Sequence, residues 1–328
     1  MPHNHTLQLV ERDADGVDTA FRKDVLDGLA QEQKAIPARW LYDDTGSQLF
    51  EDITQLPEYY PTRAETEILK SRGREFAKLI GVGRAVVEFG SGSSLKTPLL
   101  LDAIDPAAYV PLDIAGDFLR ASANELSAKF PGLPVHPVEA DFMRRVELPK
   151  AVEGLPKLGF FPGSTIGNMV APSAVDLLRT MRATLGVGSK LLIGMDLIKD
   201  EDVLVAAYDD AAGITAEFNR NLIRRINRQL KGDIPLNALV HEARWNDEHA
   251  RMEMHLVATR AIVFSVAGKG FAMAKGESLH TENSHKFSRR TSYMLLLAGG
   301  WEPQARWLDS EGRFSLLLAE AKPLRRAP

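Results

Sequence analysis

At 328 residues, 45% hydrophobic and 26% charged, the chain has material for a large core and about two domains of roughly 100–200 residues; bulk disorder is excluded. Forty Lys and Arg against 44 Asp and Glu leave a net charge of −4, a poor match to a phosphate backbone, so no nucleic-acid partner is expected. With no cysteine, disulfide scaffolds, zinc ribbons, iron–sulfur clusters and thiol nucleophiles drop out together.

The opening MPHNHTLQLVERDADG lacks a cationic start followed by an apolar stretch, so no secretory leader is expected. No apolar run approaches the ~20 residues of a membrane helix. A soluble cytoplasmic protein, acting as a monomer without a membrane partner, is the expectation. Leu49, Phe50, Ile53 and Leu56 recur at helical spacing, and Pro57 ends that helix. Pro57–Pro61 should then be extended, because a residue before proline is pushed out of the α region. Thr62-Arg63-Ala64-Glu65 supplies a capping box for the next helix.

Five apolar runs follow: Ala85–Phe89, Tyr109–Ile114, Val135–Glu139, Leu158–Phe161 and Leu191–Leu197. Helical stretches such as Lys96–Ile104 and Ala171–Leu185 separate them. Strand and helix in alternation predict an α/β fold, a mostly parallel sheet covered on both faces. Residues 198–286 break the pattern, with a polar helix start at Lys199–Asp202, then Phe218, Leu222, Ile226 and Leu230 spaced four apart. Gly232 is the expected stop, and Arg251–Val266 reads as one long strand or a bent pair. A helix ending at Ala298, then Trp301–Leu308 and Phe314–Glu320 around the turn Asp309–Gly312, predict an antiparallel C-terminal hairpin. The expected division is 62–197 with 287–328 as one domain, and 1–61 with 198–286 as an accessory α+β domain.

Gly90-Ser91-Gly92 stands where the first strand turns into a helix, a place for backbone to approach an anion. Glu88 ends that strand, where it can meet an ammonium, and Asp113 ends the second, where a carboxylate can accept both hydroxyls of a ribose. Asp141-Phe142 after the third offers an acid and an aromatic ring to adenine. Together they fit S-adenosylmethionine (AdoMet) better than a dinucleotide; singly, each acid also fits an ordinary helix N-terminus. Gly163-Ser164-Thr165-Ile166-Gly167-Asn168 follows the fourth strand and should face the methyl acceptor. Asn168, donor and acceptor at once, suits a small zwitterion, or else a turn or helix cap.

Trp40-Leu-Tyr42-Asp43, Leu56-Pro-Glu-Tyr59-Tyr60-Pro-Thr-Arg-Ala-Glu65, the Gly90 loop, Gly163–Asn168, Tyr208-Asp-Asp-Ala-Ala-Gly213 and Phe218-Asn-Arg-Asn221 resemble the histidine-specific AdoMet-dependent methyltransferases. The likeness runs from about Arg22 to Glu320. It implies a Rossmann-like class I methyltransferase domain with an accessory substrate domain, AdoMet as co-substrate without a metal, and L-histidine as acceptor on the route through hercynine to ergothioneine. It further implies that Gly90, Gly92, Lys96, Asp113, Asp141, Phe142 and Gly163 hold AdoMet, Lys96 at the methionine carboxylate. Asn168 and Tyr208 would hold the substrate's α-carboxylate and amine, and Tyr42 would lie by the reacting nitrogen. Tyr59, Glu282 and Ser284 would surround the imidazole, with Phe218 and Met254 lining its pocket.

Other readings of the residues are a methyltransferase for another amine, a noncatalytic AdoMet-binding module, and a nicotinamide oxidoreductase. His280, Glu282 and His285 match no strong metal motif. Arg220, Arg224, Arg225, Arg228 and Lys231 could touch RNA, but a solvated helix face is the expectation in an acidic chain.

Overall fold

The computed structural model describes residues 12–13, 16–92, 96–114 and 116–323; expectations for residues 1–11, Ser93 and residues 324–328 lie outside it. Within these limits the chain forms two compact units, one from residues 61–198 and 286–323, the other from 12–60 and 199–285.

In chain order, α1 (Thr19–Leu29) is capped by Asp18, whose carboxylate accepts from the Ala20 and Phe21 N–H groups. The short β1 (Lys34–Ala35), a 3₁₀ turn at Ala38–Leu41 and α2 (Asp44–Thr54) follow. The stretch before the next helix is not extended as expected: α3 (Tyr60–Ser71) already begins at Tyr60. Pro61 sits in its first turn, where a missing N–H costs nothing and the fixed φ is helical. Thr62 is therefore inside the helix, and Glu65 caps nothing; its fully buried carboxylate accepts from the Gly163 N–H instead.

After α4 (Gly73–Ile80) come β2 (Ala85–Phe89), α5 (Thr97–Ile104), β3 (Ala108–Asp113), α6 (Gly116–Lys129), β4 (Val138–Glu139), β5 (Lys157–Phe161), α7 (Ala171–Leu185) and β6 (Lys190–Asp196). The expected third strand is cut short. Pro137 has no N–H for the ladder, so Val135 keeps one bridge to Tyr109 and pairing resumes at Val138. The chain then builds α8 (Glu201–Tyr208), α9 (Ile214–Gln229), β7 (Leu239–Asn246), β8 (Arg251–Ala258), β9 (Ile262–Val266), β10 (Lys269–Met273) and β11 (Ser278–His285). It closes with α10 (Arg289–Ala298), β12 (Trp301–Leu308) and β13 (Phe314–Ala321).

The first unit holds a seven-stranded sheet of order β12-β13-β6-β5-β2-β3-β4, parallel except for the C-terminal hairpin. Strand β2 is buried on both faces, Ala85, Val87 and Phe89 entering one helix layer and Val86 the other. Period two thus assigns Glu88 to the Val86 face, among α5 and Tyr109, rather than past the strand's end. The order reverses between β2 and β5: β3 and β4 extend the sheet to one side, β5 and β6 to the other. This is the topological switch point, where the carboxyl ends of the strands leave a crevice.

In the second unit, β1-β11-β8-β7 form one sheet and β9 and β10 a separate hairpin. Arg251–Val266 is therefore a pair of strands in two sheets. Helix α9 lays Phe218, Leu222, Ile223 and Ile226 on this core. It stops at Gln229, where Lys231, not Gly232, takes the left-handed conformation (φ 52°). Its arginines stay partly exposed, as expected of a solvated face, and are also paired: Arg220 and Arg224 with Glu217 and Arg228 with Asp43, while the half-buried Arg225 donates to the Trp40 carbonyl. No helix among the described residues is long and apolar enough to cross a membrane.

Candidate active site

The switch point of the first unit gathers the expected cofactor residues. Gly90 has φ 70°, which strains any other residue, and a Cβ on it would meet the Phe142 ring at a tight 3.3 Å; the cradle favours glycine. The Gly90 and Ser91 N–H groups donate to the Leu112 carbonyl, and the Gly92 N–H to Asp113 Oδ2 at 3.0 Å. Asp113 is thereby fixed at the end of β3 beside the glycine loop. Asp141 accepts from the Met143 N–H at 2.9 Å, and Phe142 sits edge-on to Phe89 and Phe161 with centroids 6.4 and 6.0 Å away. These residues are half-buried, as a ligand-facing surface requires.

Lys96, just before α5, pairs with Glu65, a residue the sequence presented only as a helix cap. The same carboxylate holds the Gly163 N–H (2.9 Å) in the loop after β5, so one buried acid ties α3, the glycine loop and the fourth strand's loop together. Glu88 departs from its expected role. It is 1% exposed and accepts from the hydroxyls of Thr97 (2.7 Å) and Tyr109. Burial pushes its carboxyl up to about 7 against the pull of those two donors. It ties β2 to α5 and β3; an approach to a ligand's ammonium is not what this placement offers. Asn168 ends the 3₁₀ turn Thr165–Asn168, half-buried, and the cap position of α7 belongs to Val170, which removes the capping alternative.

The second unit brings its seven expected residues into one box. Tyr42 hydroxyl stands 3.4 Å from Glu282 Oε1, and its ring is edge-on to Phe218 at 5.3 Å. Tyr59 and Tyr208 rings lie 6.1 Å apart, and the Tyr208 hydroxyl is 2.7 Å from Ser284 Oγ. Met254 on β8 faces Glu282 on β11 in register. The 282–284 segment is part of strand β11, with a bulge between His280 and Glu282 that shifts the register at the carboxylate. Phe50 completes the wall, 5.6 Å from Tyr42 and 6.2 Å from both Tyr59 and Phe218. The sequence marked it only as an apolar helix position. Burial, then the Glu282 charge, hold the Tyr42 phenol well above its usual range, so it stays a hydroxyl donor. Glu282, 8% exposed in an aromatic wall, is a carboxylate placed for a cationic or N–H-bearing ring.

Of the three residues weighed for a metal, His280 alone enters a cluster of potential ligands among the described residues. Among the described residues the cluster with ligand atoms within 4.8 Å is Glu253, His255 and His280. The two imidazoles stack at 4.7 Å and 15°, so their nitrogens run side by side rather than converging. His255 bonds Glu253 (3.1 Å) and Ser278 (3.1 Å), and His280 donates to the Glu282 carbonyl (3.0 Å). Burial lowers His255 to about 4, keeping that ring neutral.

Residues 21–321 match the family described as histidine-specific methyltransferase, SAM-dependent. The chain is 41% identical to a histidine N-alpha-methyltransferase of Mycolicibacterium smegmatis, covering 93% of this chain and 96% of that one. It is 40% identical to a histidine N-alpha-methyltransferase of Mycobacterium tuberculosis, over 92% and 94% of the two chains. Ergothioneine biosynthesis protein 1 of Neurospora crassa is 29% identical over 88% of this chain, which spans 33% of that protein.

Proposed function

We propose that this chain, which belongs to the SAM-dependent histidine-specific methyltransferases, moves three methyl groups in succession from AdoMet to the α-amino nitrogen of L-histidine. The product is hercynine, the first step towards ergothioneine. The observation that carries the reading is Glu282: a buried carboxylate beside Tyr42, Ser284 and Met254 in an aromatic box fits an imidazole N–H. A charge-assisted hydrogen bond of this kind contributes about 1.5–3 kcal/mol. Leucine or phenylalanine would leave the carboxylate buried and unpaired.

In this reading Tyr59, Phe218 and Met254 pack on the ring, Tyr208 holds the α-carboxylate, and Asn168 orients the amine. Asp113 takes the ribose hydroxyls, Asp141 and Phe142 the adenine, and Lys96 the methionine carboxylate, while Gly90, Gly92 and Gly163 let backbone approach the ligand. AdoMet supplies an electrophilic methyl on a sulfonium, open to in-line attack by an amine. No enzyme-bound intermediate is required, which suits a chain without cysteine. The residues' work is positioning and exclusion of water. Each attack needs a neutral amine. A peptide α-amine of pKa near 8 is about a tenth neutral at pH 7; the amine of a free amino acid is more basic, so a nearby sulfonium that lowers its pKa raises the reactive fraction. Tyr42, kept protonated, can pass a proton only by accepting one as it gives one, so it acts as a relay rather than a base.

The test is mass spectrometry of the purified protein with AdoMet and each of the twenty amino acids. Trimethylated histidine alone is expected; methylation of another amino acid, or of none, overturns the reading. Glu282→Ala should weaken histidine binding about ten- to a hundredfold with AdoMet binding unchanged. Asp113→Ala should do the reverse, and a titration showing either ligand insensitive to its own variant removes that assignment.

A further inference from the structure

Tyr208 is the last residue of α8, where backbone carbonyls have no helical partner. Its carbonyl is met at 2.8 Å by Nε2 of His241 on β7. A carbonyl only accepts, so Nε2 carries the proton. On the other side of the ring, Nδ1 is 3.0 Å from the amide nitrogen of Asn219 on α9. That nitrogen also reaches the His255 carbonyl at 3.2 Å, and both neighbours require the amide to be the donor there. Nδ1 is therefore the lone pair, and the imidazole is locked as the neutral Nε2–H tautomer. Asn219 is fully buried and the His241 side chain is 2% exposed. Asp209 (4.0 Å), Asp210 and Arg220 are the charges facing the ring. A run of hydrogen bonds thus leads from α9 through β7 to the end of α8. From there the Tyr208 hydroxyl reaches Ser284 on β11 in the box.

Neither His241 nor Asn219 belongs to the aromatic box. We propose that the Asn219–His241 pair is a positioning device that fixes where the Tyr208 hydroxyl stands for the α-carboxylate of the amino-acid substrate. This rests on the reading of Tyr208 given above. His241 donates to the backbone of Tyr208, and Asn219 makes that donation obligatory by occupying the other nitrogen. A tautomer with the proton on Nδ1 would aim a lone pair at the Tyr208 carbonyl and push the end of α8 away.

The experiment compares histidine with histamine, which keeps the imidazole and the amine but lacks the carboxylate. His241→Leu should raise the histidine KM about tenfold. The kcat at saturating histidine, the AdoMet KM and the inhibition constant of histamine should stay within about twofold. His241→Gln, whose amide can still donate to the Tyr208 carbonyl, should restore most of the histidine KM. Equal losses for histidine and histamine, a fall in kcat and AdoMet affinity together, or no rescue by glutamine would overturn the proposal. Tyr208→Phe separates the two levels. If it weakens histidine but not histamine while His241→Leu changes neither, only the positioning role fails. If it leaves the histidine-to-histamine ratio unaltered, the assignment of Tyr208 itself fails. Nitrogen-15 correlation spectra of the wild type, with the His241 signals assigned through the glutamine variant, should show Nε2 protonated and Nδ1 bare. The opposite tautomer overturns the proposal whatever the kinetics of the variants.

Discussion

Replacing Glu88 by glutamine should stabilise the protein in mild alkali and do almost nothing in mild acid. Glu88 lies 1% exposed between Thr97 of α5 and Tyr109 of β3, with its carboxyl raised from 4.5 to about 7, chiefly by burial. Below about pH 4.5 the group is protonated both folded and unfolded, and burying it carries no charge penalty. As pH rises, the unfolded chain ionises first, so native stability is lost progressively until the folded group also ionises near 7. Fully developed, that loss is about 3 kcal/mol at 1.36 kcal/mol per decade. Between about pH 5 and about pH 8.5 the change is about 2.5 kcal/mol. In Glu88→Gln the carbonyl oxygen can accept from Thr97 and Tyr109 as Oε2 does, and nothing titrates. Urea unfolding of both proteins without ligands should therefore give curves that nearly coincide at the acid end and separate at the alkaline end, the variant being the more stable. A gap of the same size at both pH values would refute the buried, neutral carboxyl. AdoMet titration of the same samples distinguishes the support role, which leaves affinity nearly intact, from a direct ammonium contact, which does not.

Lys286 and Asp196 form an ion pair at 2.7 Å with 0% and 1% of their side chains exposed. Lys286→Met should cost about 3–5 kcal/mol by stranding the carboxylate, and the double variant Asp196→Leu with Lys286→Met should recover much of it, both read from denaturant midpoints. Gly46 on α2 admits no side chain, since a Cβ there would stand 1.8 Å from the Leu41 carbonyl oxygen. Gly46→Ala should lower stability by about 2 kcal/mol or more in thermal unfolding. It should also raise the histidine KM, because Tyr42 follows Leu41 directly; an unchanged melting temperature would contradict the packing.

Some of this was readable from the chain. The runs Ala85–Phe89 and Trp301–Leu308 became strands with the expected bounds, and Ala171–Leu185 a helix with the expected bounds, because turn residues bounding a segment and 3.6-residue periodicity are local signals. Where the reading went astray, a local rule met a stronger one. The rule that a proline keeps its preceding residue extended fails at Pro61, because in a first helical turn its fixed φ helps. Glu65 fits a capping box, yet Lys96 and the Gly163 N–H, far along the chain, hold its buried carboxylate.

Composition, periodicity and the placement of glycine and acid at strand ends determined the class of this protein: a parallel sheet with a cradle at its carboxyl edge. Those properties depend on neighbours within a few residues, and the chain states them directly. What only the tertiary structure decided is the job of each charged or polar side chain. Glu88 was turned beneath the sheet, Glu282 was set by a bulge in a strand, and His241 received its proton position from an asparagine on another helix. Hydrogen bonds are directional and join residues tens to hundreds of positions apart. No local pattern encodes their geometry until the chain is folded.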